Sequence, residues 1–466
     1  MGSRVTVVVR RLTILAVLAI VCMSSWCAWA GDQRNSRGGS DEKKPAAEKN
    51  GKDAAAADDE SDDEKKKKKV KEDRFFALRG GIVHTVSRGE LRDVTILVKN
   101  GKVVEIDRGV KIPEGAEVLD ARDFHIYPGL IAASSGGIFG SGAPEESTNV
   151  YSLSMTLALA GGITTALAGN TVVKLTYGSV DDMVVRRDVF KKLRYSTSDP
   201  NQRRELRAKF EKVRQYLRDL EAYEEDKKTD PDAEAPKDDW IKGEFKTCLQ
   251  LLKHEAVAKI DANTAQEILS VSGLATRYGI QIVVVGAVEG WTVASAMARA
   301  GLSAIVTPRR QWTEDQELNR PTGSSIENAA ILYRTGVPVA VVPGISSIMT
   351  WGLAGRDLLH LNMEAAFAVR GGLSNEEAIR TITIDAARLL GVDHRVGSIE
   401  IGKDADFLVC DGDLLHYMTH VRWTVVNGRV VYDKKKDTLF DHIRPDGDRS
   451  APPPDDYWPR TLGATK

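Results

Sequence analysis

Apolar and polar positions along this chain follow two different rhythms. Near residue 75 the rhythm is that of strands. "FFALRGGIVHTV" and "VTILVKNGKVVEID" are rich in β-branched and aromatic residues, and Asn100-Gly101 between two apolar runs predicts a type I′ hairpin. The same device returns near the other end, where "WTVVNGRVVYD" turns at Asn427-Gly428 after the apolar run "DFLVC". Two hairpin modules at opposite ends predict one small β-sandwich domain built from both, over residues 74–125 and 391–435.

Between them the rhythm changes. "SLSMTLALAGG", "TAQEILSVSGLATRYG", "WTVASAMARAG" and "SIENAAILYRTG" read as helices closed by glycine. Each precedes a short apolar run: "ITTALAG", "IQIVVVG", "LSAIVTP" and "VPVAVVPG". Helix and strand alternating about every 25 residues predict βα units on a parallel sheet. The span 126–390 has room for an α/β fold of the (β/α)8 TIM-like barrel type, with its site where strands end. An open doubly wound sheet fits the same rhythm, but no Gly-rich dinucleotide turn follows any strand. One stretch, at about 185–255, breaks the alternation with two charged helices around a polar, Pro-containing segment. It reads as an insertion whose Leu and Tyr stripe packs on the barrel.

The flanks carry a third pattern. Residues 1–30 hold Arg4, Arg10 and Arg11, the apolar run "LTILAVLAIVCM" and "AWA" before Gly31, the layout of a cleaved signal peptide; an uncleaved anchor is the alternative. This predicts an exported chain, periplasmic or secreted, without a transmembrane span after cleavage. Residues 31–73 have almost no large apolar residue and predict a disordered, charged linker, and 436–466 form a C-terminal tail. The chain has 466 residues and a net charge of −1, so no global field recruits nucleic acid. After cleavage two of the four cysteines remain, Cys248 and Cys410, which read as two buried thiols with pairing as the alternative.

Familiar motifs are weak here. "GSIEIGKD" approaches a phosphate loop, but Asp404 stands where a hydroxyl belongs and a strand follows where a helix is needed. His416 and His420 in "HYMTH" have metal-ligand spacing only if helical, and no third ligand is near, so a loop is expected. There is no G-x-S-x-G elbow. By pattern the strand ends carry Ser134, Ser135, Lys174, Asp261, Asn263, Glu289, Trp291, Arg309 and Arg310, followed by Ser346 and Ser347. These line a candidate polar pocket that contains no imidazole.

The stretch "RTITIDAARLLGVDHRVGSIEIGKDADFLVCDGD" with its hairpin, together with "VTILVKNGKVVEID", "YPGLI", "AGGITTALAG", "SVDDMVV" and "GVPVAVVPG", resembles the amidohydrolase superfamily in its imidazolonepropionase-like branch. The resemblance runs from about Phe75 to Asp433. It implies a metal-dependent barrel using one or two divalent ions such as zinc, and hydrolysis of C–N bonds other than peptide bonds. Its metal-site positions fall on Ser134 and Gly136 for two histidines, Ser198 for a bridging carboxylate or carboxylated lysine, Asp261 and Gly286 for two more histidines, and Gly344 for the final aspartate. Without an ion nothing lowers the pKa of water to about 7, and without the aspartate no base takes its proton. The expectation is therefore no metal and a catalytically degenerate family member. It would act as a binding or assembly module, with a copy of itself, an active relative or a small molecule as partner. The rivals are a working hydrolase built on Asp261, Glu289 and Lys174, and a solute-binding protein that uses Arg309 or Arg310 against a carboxylate.

Overall fold

A computed structural model describes residues 73–349 and 355–436, all within the unit Lys71–Lys466. The expected signal (1–30), linker residues 31–72 and tail residues 437–466 lie outside the described residues. No helix among those described is long and apolar enough to cross a membrane.

The N-terminal segment gives seven strands: β1 (Phe75–Arg79), β2 (Ile82–His84), β3 (Glu90–Arg92), β4 (Thr95–Lys99), β5 (Lys102–Asp107), β6 (Glu117–Asp120) and β7 (His125–Pro128). Asn100 (φ 53°) and Gly101 (φ 84°) join β4 to β5, the two positive φ values that a type I′ turn requires. Strands β1 and β4 to β6 form one sheet in the order β5-β4-β1-β6.

The middle of the chain supplies β8 (Leu130–Ser135), β9 (Ile163–Ala168), β10 (Thr171–Lys174), β11 (Val184–Arg186) and β12 (Phe190–Lys192). It continues with β13 (Val257–Ala262), β14 (Ile282–Gly286), β15 (Ser303–Val306) and β16 (Val339–Val341). The end returns β17 (Phe407–Cys410), β18 (Val421–Val426) and β19 (Arg429–Asp433) to a sheet ordered β19-β18-β17-β7-β2-β3. Strands from both chain ends thus share one sheet. Phe76, Leu78, Ile96 and Val98 of the first sheet meet Ile126, Phe407, Val409 and Val425 of the second in one apolar cluster.

Strands β12 to β16 are parallel and adjacent in chain order, and β8 pairs parallel with β9. Alternate residues face opposite ways. Ala258, Ile260, Val284, Ala304 and Val339 meet the outer helices, including Ile268, Val271 and Leu274 of helix Ala265–Tyr278. Ile131, Leu167, Phe190, Val283, Ile305 and Ala340 fill the other side together with Ala386, Ala387 and Leu390. Burial on both faces explains why the strands read as unbroken apolar runs.

The mixed α/β fold agrees with the expectation of a TIM-like barrel in part. Seven parallel strands in two sheets are present among the described residues, and the ring is not closed by hydrogen bonds. Helix Ile384–Leu390 packs against both β8 and β16, and Ile131 N–H donates to the Ile382 carbonyl at 2.9 Å. A second departure is the antiparallel hairpin of β10 and β11 laid along β9. Gly169 (φ 59°) turns the chain back after β9, so Lys174 pairs with Thr165, near the N-terminal end of that strand.

The charged insertion forms helix Pro200–Asp226 and helix Glu244–Leu252. Asp199 caps the first helix through the Asn201 and Gln202 N–H groups. It lies against helix Ala265–Tyr278, with Phe210 stacked on Tyr278 at 4.7 Å and Glu211 accepting from the Tyr278 hydroxyl and Arg277 at 3.0 Å each. Cys248 and Cys410 are both buried and unbridged.

Candidate functional site

A cavity of about 280 Å³ opens at the C-terminal ends of the parallel strands. Its construction follows from strand alternation. In β13 the residues Ala258, Ile260 and Ala262 are buried toward the helices, which leaves Lys259 and Asp261, two apart, on the cavity side. The Lys259 side chain is half-buried, its Nζ 5.9 Å from the centre of the Phe190 ring. Burial pushes its pKa below the ordinary lysine value and nearby Lys192 adds to this, while Asp261 opposes it.

Around these two residues stand small polar groups from neighbouring strands. A bulge in β8 between Ala132 and Ser135 lets Ser134 face the cavity, while the Ser135 hydroxyl turns away to donate to the Leu167 carbonyl at 2.9 Å. Gly136 N–H donates to the Ser346 carbonyl at 2.7 Å, which draws the segment after β16 across the rim. Thr307 and Arg310 enter from the segment after β15, and Asn263 from the end of β13; Val285, Ile305 and Val342 make the apolar floor. The result is two cationic side chains, one carboxylate, three hydroxyls and one amide around an apolar base.

The glycines on this rim differ in kind. Gly286 has φ 95°, and a Cβ there would stand 2.1 Å from Asn263 Oδ1, so this position is closed to any side chain. Gly344 is open, the nearest atom to a Cβ being Thr307 Cγ2 at 3.9 Å, and Gly136 has Ser346 Oγ at 3.7 Å.

Of the nine pocket residues read from sequence, four line this cavity: Ser134, Asp261, Asn263 and Arg310. The other five are committed elsewhere. Lys174 sits at the opposite end of the strands, because β10 runs antiparallel. Glu289 is buried; it accepts from Ala265 N–H (2.8 Å), Gly323 N–H (2.9 Å) and Arg320 (3.1 Å), and these bonds hold its carboxyl below the usual range although burial opposes them. Trp291 donates to the Gly323 carbonyl at 3.1 Å. Arg309 turns inward to buried Glu364, with Nε 2.8 Å from Oε2, and stacks on Phe367 at 4.5 Å. Ser135 is bonded away, as described.

Ser198 is exposed near the start of the insertion helix, with its hydroxyl 2.7 Å from that of Ser196. Lys259 and Thr307 are the functional candidates that the strand-end pattern missed. Alternation with Asp261 in "AKIDA" is the signal for the first.

A larger hollow of about 610 Å³ lies between helix Leu361–Arg370 and the loop before β18, with His360, His416 and His420 on its wall. Its lining is mostly apolar. His360 is paired with Asp357 at 2.7 Å, and His416 and His420 stand in a loop, not a helix. The smaller cavity has convergent polar groups at strand ends, the usual location of sites in parallel α/β folds, and is the stronger candidate.

The resemblance implies a divalent ion at the mouth. Such an ion takes three or more protein ligands drawn from His, Cys, Asp or Glu. Asp261 is the one such residue on the cavity, and no group of three converges among the described residues. The residues do not fit the ion, and no chemical step is derived through it.

Comparison with known proteins places these features. Residues 319–439 match the amidohydrolase family. The imidazolonepropionase of Shewanella frigidimarina is 39% identical over 85 residues, 17% of this chain and 18% of that protein. That of Syntrophobacter fumaroxidans is 35% identical over 118 residues, 25% of this chain and 24% of its own. The N-acetylglucosamine-6-phosphate deacetylase of Bos taurus is 39% identical over 61 residues, covering 13% of this chain and 14% of its own. The chain therefore spans at most about a quarter of each of these three curated relatives. An amidohydrolase from Thermotoga maritima has the same fold, with a TM-score of 0.61 at 22% identity over 77% of this chain and all of that one.

Proposed function

We propose that this chain, a member of the amidohydrolase superfamily, has lost metal-dependent hydrolysis and uses its strand-end cavity to hold a small organic anion. We read its strands as a TIM-like barrel carrying a β-sandwich made from both chain ends. We also read it as an exported protein, periplasmic or secreted, that pairs with a copy of itself or an active relative.

The observation that carries the reading is the make-up of the cavity. Lys259 and Arg310 face it with Ser134, Thr307 and Ser346, against the single carboxylate of Asp261. Two cations and several hydroxyls suit a carboxylate or phosphate group. A lone aspartate without an imidazole or a second acid cannot supply both the metal ligands and the base for hydrolysis of a C–N bond.

The test joins metal content with ligand-dependent stability. The protein is exposed to zinc, manganese and iron, freed of excess ion, and then melted with and without chelator in the presence of citrate, succinate or inorganic phosphate. The reading expects no retained ion, indifference to chelator, and stabilisation by at least one anion; at a hundred times Kd this is about 2.7 kcal/mol. One or more ions per chain, lost on Asp261→Asn, would overturn it in favour of a working hydrolase with an altered site.

A further inference from the structure

At the far end of the same strands, Lys174 is fully enclosed. Its Nζ donates to Asp404 Oδ2 at 2.7 Å and to the side-chain carbonyl of Asn427, Oδ1, at 2.5 Å. It also stands 2.9 Å from Asp406 Oδ2. Asn427 is the first turn residue of the β18–β19 hairpin, with φ 50°, and is held there because its N–H donates to Asp406 Oδ1 at 2.8 Å. We infer that Lys174 and Asn427 become joined by a side-chain amide bond, made by the protein itself once folded, that ties β10 to the β18–β19 hairpin.

The charges around the site favour this chemistry. Asp404 also faces Lys102 Nζ at 2.7 Å and Arg395 Nε at 2.8 Å, and Arg395 in turn reaches Asp182 at 2.8 Å. Lys102 and Arg395 thus lie against Asp404 and Asp182, and Asp406 Oδ2, 2.9 Å from Nζ, is placed to take a proton from Lys174. Burial raises the Asp406 carboxyl pKa, although Lys174 and the Asn427 N–H pull the other way. Asp406 Oδ2 is buried and makes no well-aligned hydrogen bond despite its closeness to Nζ. That suits a carboxyl group that passes a proton and is not held in a settled pair.

The step balances. The Lys174 amine attacks Cγ of Asn427, forming an Nζ–Cγ bond, while Asp406 stabilises the developing oxyanion. The proton lost from Nζ passes through Asp406 to the departing side-chain nitrogen, which leaves as ammonia. Amine plus primary amide gives secondary amide plus ammonia, and no oxidant or co-reactant is needed. The hydrogen bond to Oδ1 holds Nζ beside the Asn427 carbonyl, and such held proximity supplies rate, as in other intramolecular reactions. Asn427 is half-buried, so ammonia has a way out.

The experiment is a protease digest of the purified full-length protein under denaturing conditions, with its peptides read by mass spectrometry. The expected product is one branched peptide containing Lys174 and Asn427, lighter by one ammonia than its two linear parts. The bond would close a loop between positions 253 residues apart, so the denatured protein should also migrate anomalously on a denaturing gel. Lys174→Arg keeps a cation in place and should migrate normally. Asp406→Asn should greatly lower the yield of the branched peptide. Linear peptides with a free Lys174 amine from soluble wild-type protein, Asn427 intact or deamidated, would overturn the inference and leave an ordinary hydrogen-bonded ion network. An undiminished yield in Asp406→Asn would overturn the part assigned to Asp406. The wild-type digest decides the bond even if a variant fails to fold.

Discussion

Two lysines at opposite ends of the parallel strands show how this molecule divides its polar chemistry. Lys174, at the junction with the β strands from both chain ends, is enclosed and surrounded by Asp404, Asp406 and Asn427 within 2.9 Å. Lys259, at the mouth, is half-buried with Asp261 on the same strand face and no ion pair within 4 Å among the described residues. One end is saturated with partners while the other keeps donors and acceptors in reserve. Buried polar groups that hold a fold together are satisfied within it, whereas groups awaiting a ligand are satisfied only when it arrives.

The largest effect that tests this contrast is expected at the junction. Lys174→Met removes both the inferred cross-link and the polar partner of Asp404 and Asp406, and stranding buried carboxyl groups in this way costs about 3–5 kcal/mol. Denaturant unfolding of the variant should show a loss of that size. A loss below about 1 kcal/mol would mean that water reaches the junction and that the two ends are less different than the structure has them.

Acid titration gives the next largest effect. Burial alone would raise the Asp404 carboxyl, but in the chain with a free Lys174 side chain Lys174, Lys102 and Arg395 hold it at about 2. Its folded pKa lies below its unfolded value, so its contribution to stability is fully present above about pH 4 and is lost as pH falls toward about 2, a change of about 2–3 kcal/mol. Asp404→Asn should remove that acid-dependent loss, and unfolding midpoints measured across this pH window would show it. Asp406 acts in the opposite sense, since a raised folded pKa favours the fold at low pH.

Sequence and structure agree best where the determinants are local. Asn100-Gly101 and Asn427-Gly428 each set a hairpin through their own φ preferences, and glycine-closed helices before apolar runs marked β14, β15 and β16. Direction is not legible: "TVVK" reads the same on a parallel or an antiparallel strand, so the pattern puts Lys174 at the end opposite to the one it occupies. Nor are long-range partners. Glu289 is taken by Gly323, 34 residues on, and Arg309 by Glu364, 55 residues on, so neither is left to face the cavity. Lys259 was within reach, because period-two alternation places it beside Asp261.

At the mouth the expected effects on stability are small and reversed in sign. Burial holds the Lys259 pKa below its unfolded value, so the folded state binds the proton less readily than the unfolded state. Stability therefore rises as pH climbs from the depressed value toward the ordinary lysine value, and below that window the fold carries the full penalty. Lys259→Met removes the penalty and should raise neutral-pH stability by up to about 1 kcal/mol, a gain that vanishes near pH 10–11. The same variant should weaken binding of an anionic probe about tenfold or more, because one charge-assisted hydrogen bond is lost. A stability loss at neutral pH would show that Lys259 has a structural partner after all, and the contrast between the two ends would fail.

The smallest effect is the most informative about history. Of the positions where the resemblance expects metal ligands, Gly286 is closed by its φ of 95° and by Asn263 Oδ1, whereas Gly344 has room for a side chain. Gly344→Asp should therefore change stability by no more than about 0.5 kcal/mol. It should still retain no zinc after excess ion is removed, because it adds one carboxylate to Asp261 where three or more ligands are required. Retention of one ion per chain by this variant would mean that a single substitution separates the cavity from a metal centre. The frame of the site, not only the frame of the fold, would then have been kept. Failure to bind zinc with the fold intact would mean that Asn263 and the backbone at Gly286 have reshaped the mouth so that no single carboxylate restores the ion.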